Sequence, residues 1–469
     1  MATGSRNGSE MTALTHRPAT ATAVLSHYYQ ELDQVVAAIR ANRPVPSAAA
    51  PDFAPDFALP PLDATWEAYY AVARLRIAEL GTHRGVRLNL LDLMGNPGTR
   101  TTKTLASLLM VARAVGHIQR TGERIMIVTP SSANKATALR DAVLSAIECG
   151  LVRADQLRIA VVVPQAATPK MWSSALSTDA ELAALNPVLV FGGDDRSAVK
   201  ALARAAVDGG AEPLRALTGI RLWYSLDLDN YRMADAVRAF YERDFCPPRA
   251  GVTRLHAHAV SSAYGLLGHH LGHTVAGGRD DPRYFLVQHL DTPDMVLSLL
   301  FGSAERDHLP DYAYDAGTGL YHQDGDPRFP LTTYHPGEVL EPTFYTRRPP
   351  TSARMNELIR AGGGGGIVVS LHECLQRYPL VRALLAPAGV DLPADPRCLR
   401  EWSLVMAATG VLNAVDRGLI TDDEVLLHAS GSYSTDDYDP LPDDVVQPVT
   451  EPCDVLRAVF YAALAGDCR

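Results

Sequence analysis

The sequence predicts an α/β fold with a mostly parallel sheet, and two observations support this prediction. First, apolar runs with the length of buried strands recur at RIMIVTP (124–130), RIAVVVP (158–164) and PVLVFGG (187–193). Second, helical patterns such as ANKATALRDAVLSAIECG (133–150) separate these runs. Strands that are apolar throughout and are joined by helices are typical of a parallel sheet covered by helices.

The same alternation returns late in the chain, after a middle region that is rich in loops. Residues 279–341 contain many Asp, Pro and Tyr residues and predict mostly irregular structure. Helical and strand-like runs follow from MNELIRA (355–361) to EVLLHAS (424–430). The glycine run at 362–366 lacks GxGxxG spacing behind a strand, so it predicts a flexible connector and no nucleotide site.

The N-terminal part predicts helices on either side of a linker. Residues 1–20 predict a flexible tail. Helical patterns follow at LSHYYQELDQVVAAIRA (25–41) and TWEAYYAVARLRIAELG (65–81). The Pro/Ala-rich stretch between them, residues 43–61, predicts an extended linker across the surface.

Composition and charge narrow the class of protein. Of the 469 residues, 47% are hydrophobic and 20% are charged, which is typical of a soluble globular protein with two or three domains. The formal net charge of −10 argues against nucleic-acid binding, which usually requires a basic face. No apolar run is long enough to cross a bilayer, and no signal-peptide pattern is present. Because the six cysteines lack CxxC spacing, we expect reduced thiols and a cytoplasmic protein.

A lysine stands where a loop turns into a helix in GNPGTRTTKTLAS (95–107). The N–H groups at such a helix start favour an anion. Lysine is scarce, since the chain contains only Lys103, Lys135, Lys170 and Lys200. Unlike arginine, lysine can be tuned to react as a neutral amine, so a Schiff base to an aldehyde cofactor has four candidate positions. The alternative is that Lys103 is a solvated residue of the first turn.

Short motifs in a shared order, from Gly95 to Asp436, resemble the threonine synthase and cysteine synthase group. These are pyridoxal-phosphate enzymes of fold type II, in the tryptophan synthase β-like family. The resemblance implies two three-layer αβα domains with mostly parallel sheets, and pyridoxal 5′-phosphate (PLP) as cofactor. It implies a small mobile substrate-carboxylate domain at 117–220 and a large cofactor-binding domain from 21–116 plus 221–469. Closure of the two around substrate would exclude water.

The resemblance assigns roles to two loops that each precede a helix. Lys103 in NPGTRTTK corresponds to the Schiff-base lysine, although Thr104 and Leu105 replace the acidic and basic residues that often follow it. In TPSSANKATAL (129–139), Asn134 corresponds to the ligand of the cofactor's phenolic oxygen. The positions that would hold the substrate carboxylate are Ser131, Ser132 and Ala133. The alternative for this loop is an ordinary Ser/Asn helix cap.

AVSSAYGLLGHHLG (259–272) resembles the family's phosphate-binding loop, in which backbone N–H groups converge on phosphate oxygens. The corresponding positions are Ser261, Ser262, Ala263, Tyr264 and Gly265. Most of the usual glycines are replaced here, and the alternative is an ordinary strand-to-helix turn.

Ser430 in VLLHASGSYS (425–434) corresponds to the residue that contacts the pyridine nitrogen. A hydroxyl does not force that nitrogen to stay protonated, whereas a carboxylate would. The resulting weaker electron sink favours elimination and replacement over transamination. Glu401 corresponds to an acidic residue near the cofactor ring in threonine synthases, and the alternative is a first-turn helix acid.

The other lysines and the histidines predict no further site. Lys170 and Lys200 are expected at the surface. The segment HHLGH (269–273) offers zinc ligands, because His269 and His273 would share one helix face. No HExxH motif or recognised downstream carboxylate accompanies them, so we expect no metal site.

These assignments together predict a PLP-dependent lyase or synthase of amino-acid metabolism. The expected reaction is a β- or γ-elimination or replacement on an amino acid with a side-chain leaving group. The altered motifs favour specialised or natural-product biosynthesis over housekeeping threonine synthesis. The expected partner is the small-molecule substrate, without nucleic acid or membrane, and family analogy suggests a homodimer. The alternatives are a catalytically inactive relative that acts as a binding or partner protein, and a histidine-zinc hydrolase.

Overall fold

The computed structural model describes residues 19–21, 23–42 and 53–465. The predicted tail lies outside these residues except for its last two, and the predicted linker is described only from Phe53 onward. The strands are β1 (Ala19–Ala21), β2 (Leu75–His83), β3 (Val86–Asp92), β4 (Arg124–Pro130), β5 (Leu157–Pro164), β6 (Val188–Phe191), β7 (Ile220–Tyr224), β8 (Arg254–Ala259), β9 (Arg283–His289), β10 (Ala313–Asp315), β11 (Leu320–His322), β12 (Thr332–Thr333), β13 (Gly364–Val369), β14 (Glu424–Ala429) and β15 (Val446–Val449).

Helices lie between most of these strands. They are α1 (Val24–His27), α2 (Tyr29–Asn42), α3 (Ala64–Tyr70), α4 (Lys103–Thr121), α5 (Asn134–Glu148), α6 (Ala175–Thr178), α7 (Ala180–Leu185), α8 (Ala198–Thr218), α9 (Leu228–Asp235), α10 (Val237–Phe245), α11 (Tyr264–Val275), α12 (Asp294–Phe301), α13 (Ser352–Gly362), α14 (Leu371–Leu385), α15 (Ser403–Asp416) and α16 (Pro452–Leu464). None of the helices in the described residues is long and apolar enough to cross a bilayer.

The described strands form two large sheets and one small one. The larger sheet has the order β1-β2-β3-β14-β8-β9-β13, in which β1 with β2 and β2 with β3 pair antiparallel and the other neighbours pair in parallel. The second sheet has the order β15-β6-β5-β4-β7 and is parallel throughout. A small antiparallel sheet, β10-β11-β12, lies in the loop-rich middle region. The prediction of an α/β fold with mostly parallel sheets is confirmed.

Helix α4 connects the two large sheets. Its side chains are buried on every face, from Leu105 to Ile118, which is the property of a helix enclosed within a core. One hydrophobic cluster contains Leu108 of α4 together with Leu91 of β3 and Ile127 of β4. The start of α4 is therefore fixed between the two sheets, and Lys103 is its first residue.

Two segments differ from the prediction because sheet pairing overrides local pattern. The helix predicted over 65–81 ends at Tyr70, and β2 begins at Leu75, because this segment pairs with β3 through a hairpin. The glycine run predicted as a connector instead enters β13, which pairs in parallel with β9. Glycine is required there because Gly364 has φ +122°, and a Cβ would lie 1.9 Å from the Tyr284 carbonyl oxygen.

The sheets also divide the chain differently from the predicted domains. Residues 221–469 were expected to belong wholly to the large domain. Instead, β15 pairs with β6, so the five-stranded sheet takes its edge strand from near the C-terminus. Helix α16 packs beside it, because Val455 and Val459 join the apolar cluster of β4 to β7. The mobility of residues 117–220 stays a prediction.

Substitution of Gly364 by alanine tests the strand assignment. We expect Gly364→Ala to lower the free energy of unfolding by more than about 2 kcal/mol, because it combines a positive φ with a backbone clash. Gly365→Ala is the matched control, since its Cβ would meet only Phe285 at 3.4 Å. The free energy of unfolding of this control, measured in urea, should stay within about 1 kcal/mol of the parent value. Equal stability of the two variants would contradict the strand.

Candidate active site

A cavity of about 200 Å³ lies where the carboxyl ends of strands from both large sheets meet. In parallel α/β sheets this edge is the usual ligand site, because successive loops converge there. The cavity is lined by the loop before α4 and by the loops that follow β4, β8 and β14. Residues 343–346, from the loop-rich region, close another side.

Lys103 opens onto this cavity from the first turn of α4. Its amine lies 5.4 Å from the ring centre of Tyr231, and no hydrogen bond or ion pair to it is found within the described residues. Burial lowers the pKa of Lys103; Asp235 opposes this shift and Arg238 adds to it. A lysine in this setting loses its proton more easily than an exposed one, so it is available as a nucleophile.

The predicted phosphate loop also lines the cavity. Ser261, Ser262, Ala263, Tyr264 and Gly265 all face it, and Ala263 adopts a left-handed conformation immediately before α11. The free N–H groups at the start of α11 therefore border the cavity, as an anion site requires.

Arg238 completes the cationic surface beneath this loop. Its side chain is buried and forms an ion pair with Asp235 at 2.5 Å. Its Nη1 atom has no hydrogen-bond partner among the described residues. A Cβ at Gly265 would lie 2.6 Å from Arg238 Nη2, so only glycine lets the loop approach the guanidinium. The orphaned donor and the glycine cradle together fit a phosphate.

The predicted substrate-carboxylate loop lines the cavity in part. Ser131 and Ser132 face it, whereas Ala133 is fully buried and does not line it. The Ser131 hydroxyl accepts hydrogen bonds from the N–H groups of Ala133 and Ala136, at 3.2 and 3.0 Å, and so acts as a cap for α5. The Ser132 hydroxyl and the first residues of α5, Asn134 and Lys135, border the cavity.

Asn134 lines the cavity, but protein groups occupy both ends of its amide. Its Nδ2 atom donates to Glu401 Oε2 at 2.6 Å, and its Oδ1 atom accepts from the Tyr433 hydroxyl at 2.6 Å. Nδ2 carries a second N–H, for which no partner is found among the described residues, and this N–H is the one that a cofactor oxygen could accept from. The role predicted for Asn134 stays a prediction.

The sequence predicts Lys170 at the surface, but the structure buries it beside the cavity. It ends the 3₁₀ turn Gln165–Lys170 after β5, and its side chain is only 5% exposed. Its amine donates to Glu401 Oε2 at 2.5 Å, and it also binds Glu341. These carboxylates hold the pKa of Lys170 above its usual value, against the effect of burial.

The two carboxylates of this cluster differ in their protonation. Burial, reinforced by Glu401, raises the pKa of Glu341 to about 7, although Lys170 opposes the shift. Burial also acts to raise the pKa of Glu401, but Lys170, Ser403 and Asn134 together hold it below its usual value. Glu401 is therefore the charged partner of the lysine at neutral pH.

Two further lysines give the cavity a strong positive charge. Lys135 and Lys200 both line it, and Lys200 is half-buried there, not at the open surface. The amine of Lys135 is buried without a hydrogen-bond partner among the described residues. Burial lowers the pKa of Lys135 to about 7, and the charges of Lys103 and Lys200 contribute. No aspartate or glutamate is among the described residues that line the cavity, so the cavity favours an anionic ligand.

The histidines assemble differently from the predicted helix face. His269 contacts Tyr284 and Glu242, at 2.9 and 2.8 Å, whereas His273 contacts the main-chain oxygen of Asp280. The pairing of β8 with β14 places His256 near His428, and α11 adds His269, so that ring nitrogens of all three come within 4.8 Å of one another. His256 Nδ1 lies 3.1 Å from His428 Nε2, so these rings bond to each other behind the cavity wall.

Ser430 follows β14 and lines the cavity next to His258 of β8. Its hydroxyl lies 3.5 Å from His258 Nε2. Arg238 and His258 were not predicted for the site from the sequence, and Lys135 was predicted only as one of four candidate Schiff-base positions. The scarcity of lysine was the available signal, because each of the four lysines lies at the cavity or in the ion cluster beside it.

Solved structures with a similar fold include two threonine synthases. PLP-bound threonine synthase from Brucella melitensis has a TM-score of 0.52 and 13% identity, and the match covers 92% of this chain and 89% of that one. Threonine synthase from yeast has a TM-score of 0.54 and 11% identity, with 95% and 91% covered. The chain thus has the α/β fold of the fold type II enzymes. It belongs to the family of unknown function DUF6002, which matches residues 20–463. No curated protein sequence matches it.

Removal of the buried Lys170 amine tests the ion cluster. We expect Lys170→Met to lower the free energy of unfolding at pH 8 by about 3–5 kcal/mol, because two buried carboxylates lose their counter-ion. Glu341 has a raised pKa of about 7, so the folded state keeps a proton that the unfolded chain releases. The free energy of unfolding of the parent protein should therefore be highest below the ordinary carboxyl pKa and should fall as the pH rises through about 7.

The matched control for this experiment is Lys200→Met. Lys200 has no ion pair within the described residues and is half-buried, so its loss should change the free energy of unfolding by about 1 kcal/mol or less. Chemical denaturation at pH 5 and pH 8 measures both variants. If Lys170→Met lowered the free energy of unfolding equally at pH 5 and pH 8, the ion cluster around Lys170 would be contradicted.

Proposed function

We propose that this chain binds PLP through Lys103 and catalyses a β- or γ-elimination or replacement on an amino acid with an anionic side-chain leaving group. One observation carries the proposal. The amine of Lys103 has no hydrogen-bond or ion-pair partner among the described residues, and it opens onto a cavity with an orphaned guanidinium and without a lining carboxylate. A lysine, a phosphate cradle and an excess of positive charge are what such a cofactor needs.

The residues present fit the cofactor. Lys103 would hold its aldehyde carbon, and the start of α11 with Arg238 would hold its phosphate. Ser430 would face its ring nitrogen. When bound, the cofactor supplies an electron-withdrawing ring that weakens the bonds at the substrate Cα.

Lys103 is suited to move protons once it is free of the cofactor. Burial lowers its pKa, so the amine gives up its proton more easily than an exposed lysine and can take the Cα proton. The same amine can return a proton to the substrate or to the leaving group. Tyr231 packs beside it and limits the positions that the amine can reach.

The remaining cations support an anionic substrate. The start of α5 and the Ser132 hydroxyl would hold the α-carboxylate. Lys135 and Lys200 would then face a second anionic group on the side chain, such as a phosphate ester. Departure of such a group leaves negative charge that a nearby ammonium stabilises. The changed loops favour a specialised substrate over housekeeping threonine synthesis.

The competing proposal is a binding protein that keeps this fold without its chemistry. The replaced glycines of the phosphate loop favour it, since Ser261 and Tyr264 stand where a smaller residue is usual. The orphaned Nη1 atom of Arg238 argues for a loop that still receives an anion. Spectroscopy decides between the two.

The Schiff base is tested by adding PLP to the purified protein. We expect a visible absorption band that shifts when amino acids are added, because the amine of Lys103 forms an imine. After borohydride reduction, mass spectrometry should find the cofactor on the peptide that contains Lys103. Lys103→Ala should show neither signal, whereas the matched control Lys200→Ala should keep both. Absence of the band in the parent chain would favour the binding protein.

The specialised substrate is tested with the loaded protein and O-phosphohomoserine. Slow or undetectable formation of threonine is the expected result, because the loops around the cavity differ from the usual motifs. Efficient threonine formation would overturn the specialised function while leaving the PLP chemistry intact.

The second anion subsite predicts a particular pH dependence. Sulfate should bind the PLP-loaded protein through the charged form of Lys135, whose pKa burial lowers. As the pH rises and this amine loses its proton, the affinity should fall, by at most about tenfold per pH unit. Lys135→Met should abolish the pH dependence of sulfate binding. Lys200→Met should weaken sulfate binding but leave its pH dependence in place. Titration calorimetry between pH 6 and 8.5 measures both, and pH-independent binding by the parent would contradict the subsite.

A further inference from the structure

Two neighbouring strands place a histidine against the serine at the cavity wall. β14 and β8 pair in parallel, with His428 opposite His258, and Ser430 follows two residues later. The Ser430 hydroxyl lies 3.5 Å from His258 Nε2. On the other side of the imidazole, His258 Nδ1 lies 2.9 Å from the main-chain oxygen of His428. Both side chains line the cavity.

The carbonyl contact determines which nitrogen of His258 carries the proton. A carbonyl oxygen can only accept a hydrogen bond, so Nδ1 must donate. This oxygen belongs to a strand that is paired on both sides, so it cannot turn away. Burial, together with the nearby charges of Arg238 and Lys103, lowers the pKa of His258 well below its usual value. The ring is therefore neutral, and Nε2 presents a lone pair.

The lone pair on Nε2 can accept the proton of the serine hydroxyl. Serine has one proton, and Nε2 is the partner found for its oxygen within the described residues. If Ser430 donates that proton to His258, only its oxygen lone pairs are left toward the cavity. A ligand atom placed against Ser430 must then be a donor.

We propose that His258 is a positioning residue that makes Ser430 an obligate hydrogen-bond acceptor, which holds a heterocyclic nitrogen against it in the protonated form. This inference rests on the proposed PLP function for the identity of the heterocycle. It revises the argument from sequence, in which a hydroxyl leaves the ring nitrogen free to lose its proton. A protonated ring withdraws electrons more strongly, so the site stabilises negative charge at the substrate carbon better than serine alone would.

The histidine half of the proposal is tested without any cofactor. Protein labelled with ¹⁵N and ¹³C in histidine should show His258 as a neutral ring with its proton on Nδ1 between pH 6 and 8. The variant His258→Leu assigns the signal. A charged ring, or a proton on Nε2, would overturn the proposal whether or not the protein binds PLP.

The serine half is tested with PLP that carries ¹⁵N at the ring nitrogen. Ser430→Asp provides the reference for an acceptor, and Ser430→Ala provides the reference without one. The ¹⁵N shift of the parent should match Ser430→Asp, and that of His258→Leu should move toward Ser430→Ala while the Schiff-base band is kept. A parent shift that matches Ser430→Ala would overturn the proposal.

The design separates failure of this inference from failure of the proposed function. If no PLP binds, the proposed function fails, and the cofactor-free histidine spectrum still decides the state of His258. If His258→Leu does not fold, the comparison of the parent with the two Ser430 variants still decides the direction of the hydrogen bond.

Discussion

The ion pair between Lys170 and Glu401 is the constraint on which the cavity depends. Lys170 follows β5 of the five-stranded sheet, and Glu401 precedes α15 beside the seven-stranded sheet. Glu401 also accepts a hydrogen bond from Asn134, where the loop after β4 enters α5. One buried carboxylate thus ties two loops of one sheet to the other sheet, across the place where their strand ends meet. Opening the cavity between the sheets would require these bonds to break, which is costly for a buried charge.

The same pairing decides the charge of the cavity. Glu401 and Glu341 are both engaged with Lys170, so their charges are balanced outside the cavity lining. Lys103, Lys135 and Lys200 are left without carboxylates among the described lining residues. The resulting potential favours an anionic ligand. Burial lowers the pKa of all three amines, and neighbouring positive charges add to this shift for Lys103 and Lys135. Ligand binding and amine reactivity are therefore two consequences of one charge distribution.

Much of the site was predictable because its parts lie at the ends of strands. Lys103, Asn134 and Ser430 come after β-like runs, and parallel strands bring such positions to one edge. The partners of these residues were not predictable. Lys170 and Glu401 are 231 residues apart, and no local pattern links them. Ala133 was assigned to the carboxylate loop, yet its small side chain is buried away from the cavity.

The sequence by itself determined the α/β class, through apolar runs that alternate with helical patterns, and the loops that carry polar residues. Only the tertiary structure decided which strands pair, because pairing depends on contacts between distant segments. It placed the second part of the glycine run, from Gly364, in β13 and brought β15 to the five-stranded sheet. It also set His258 against Ser430, because their register is fixed by the pairing of β8 with β14. Hydrogen-bond direction follows from such register, which no single segment specifies.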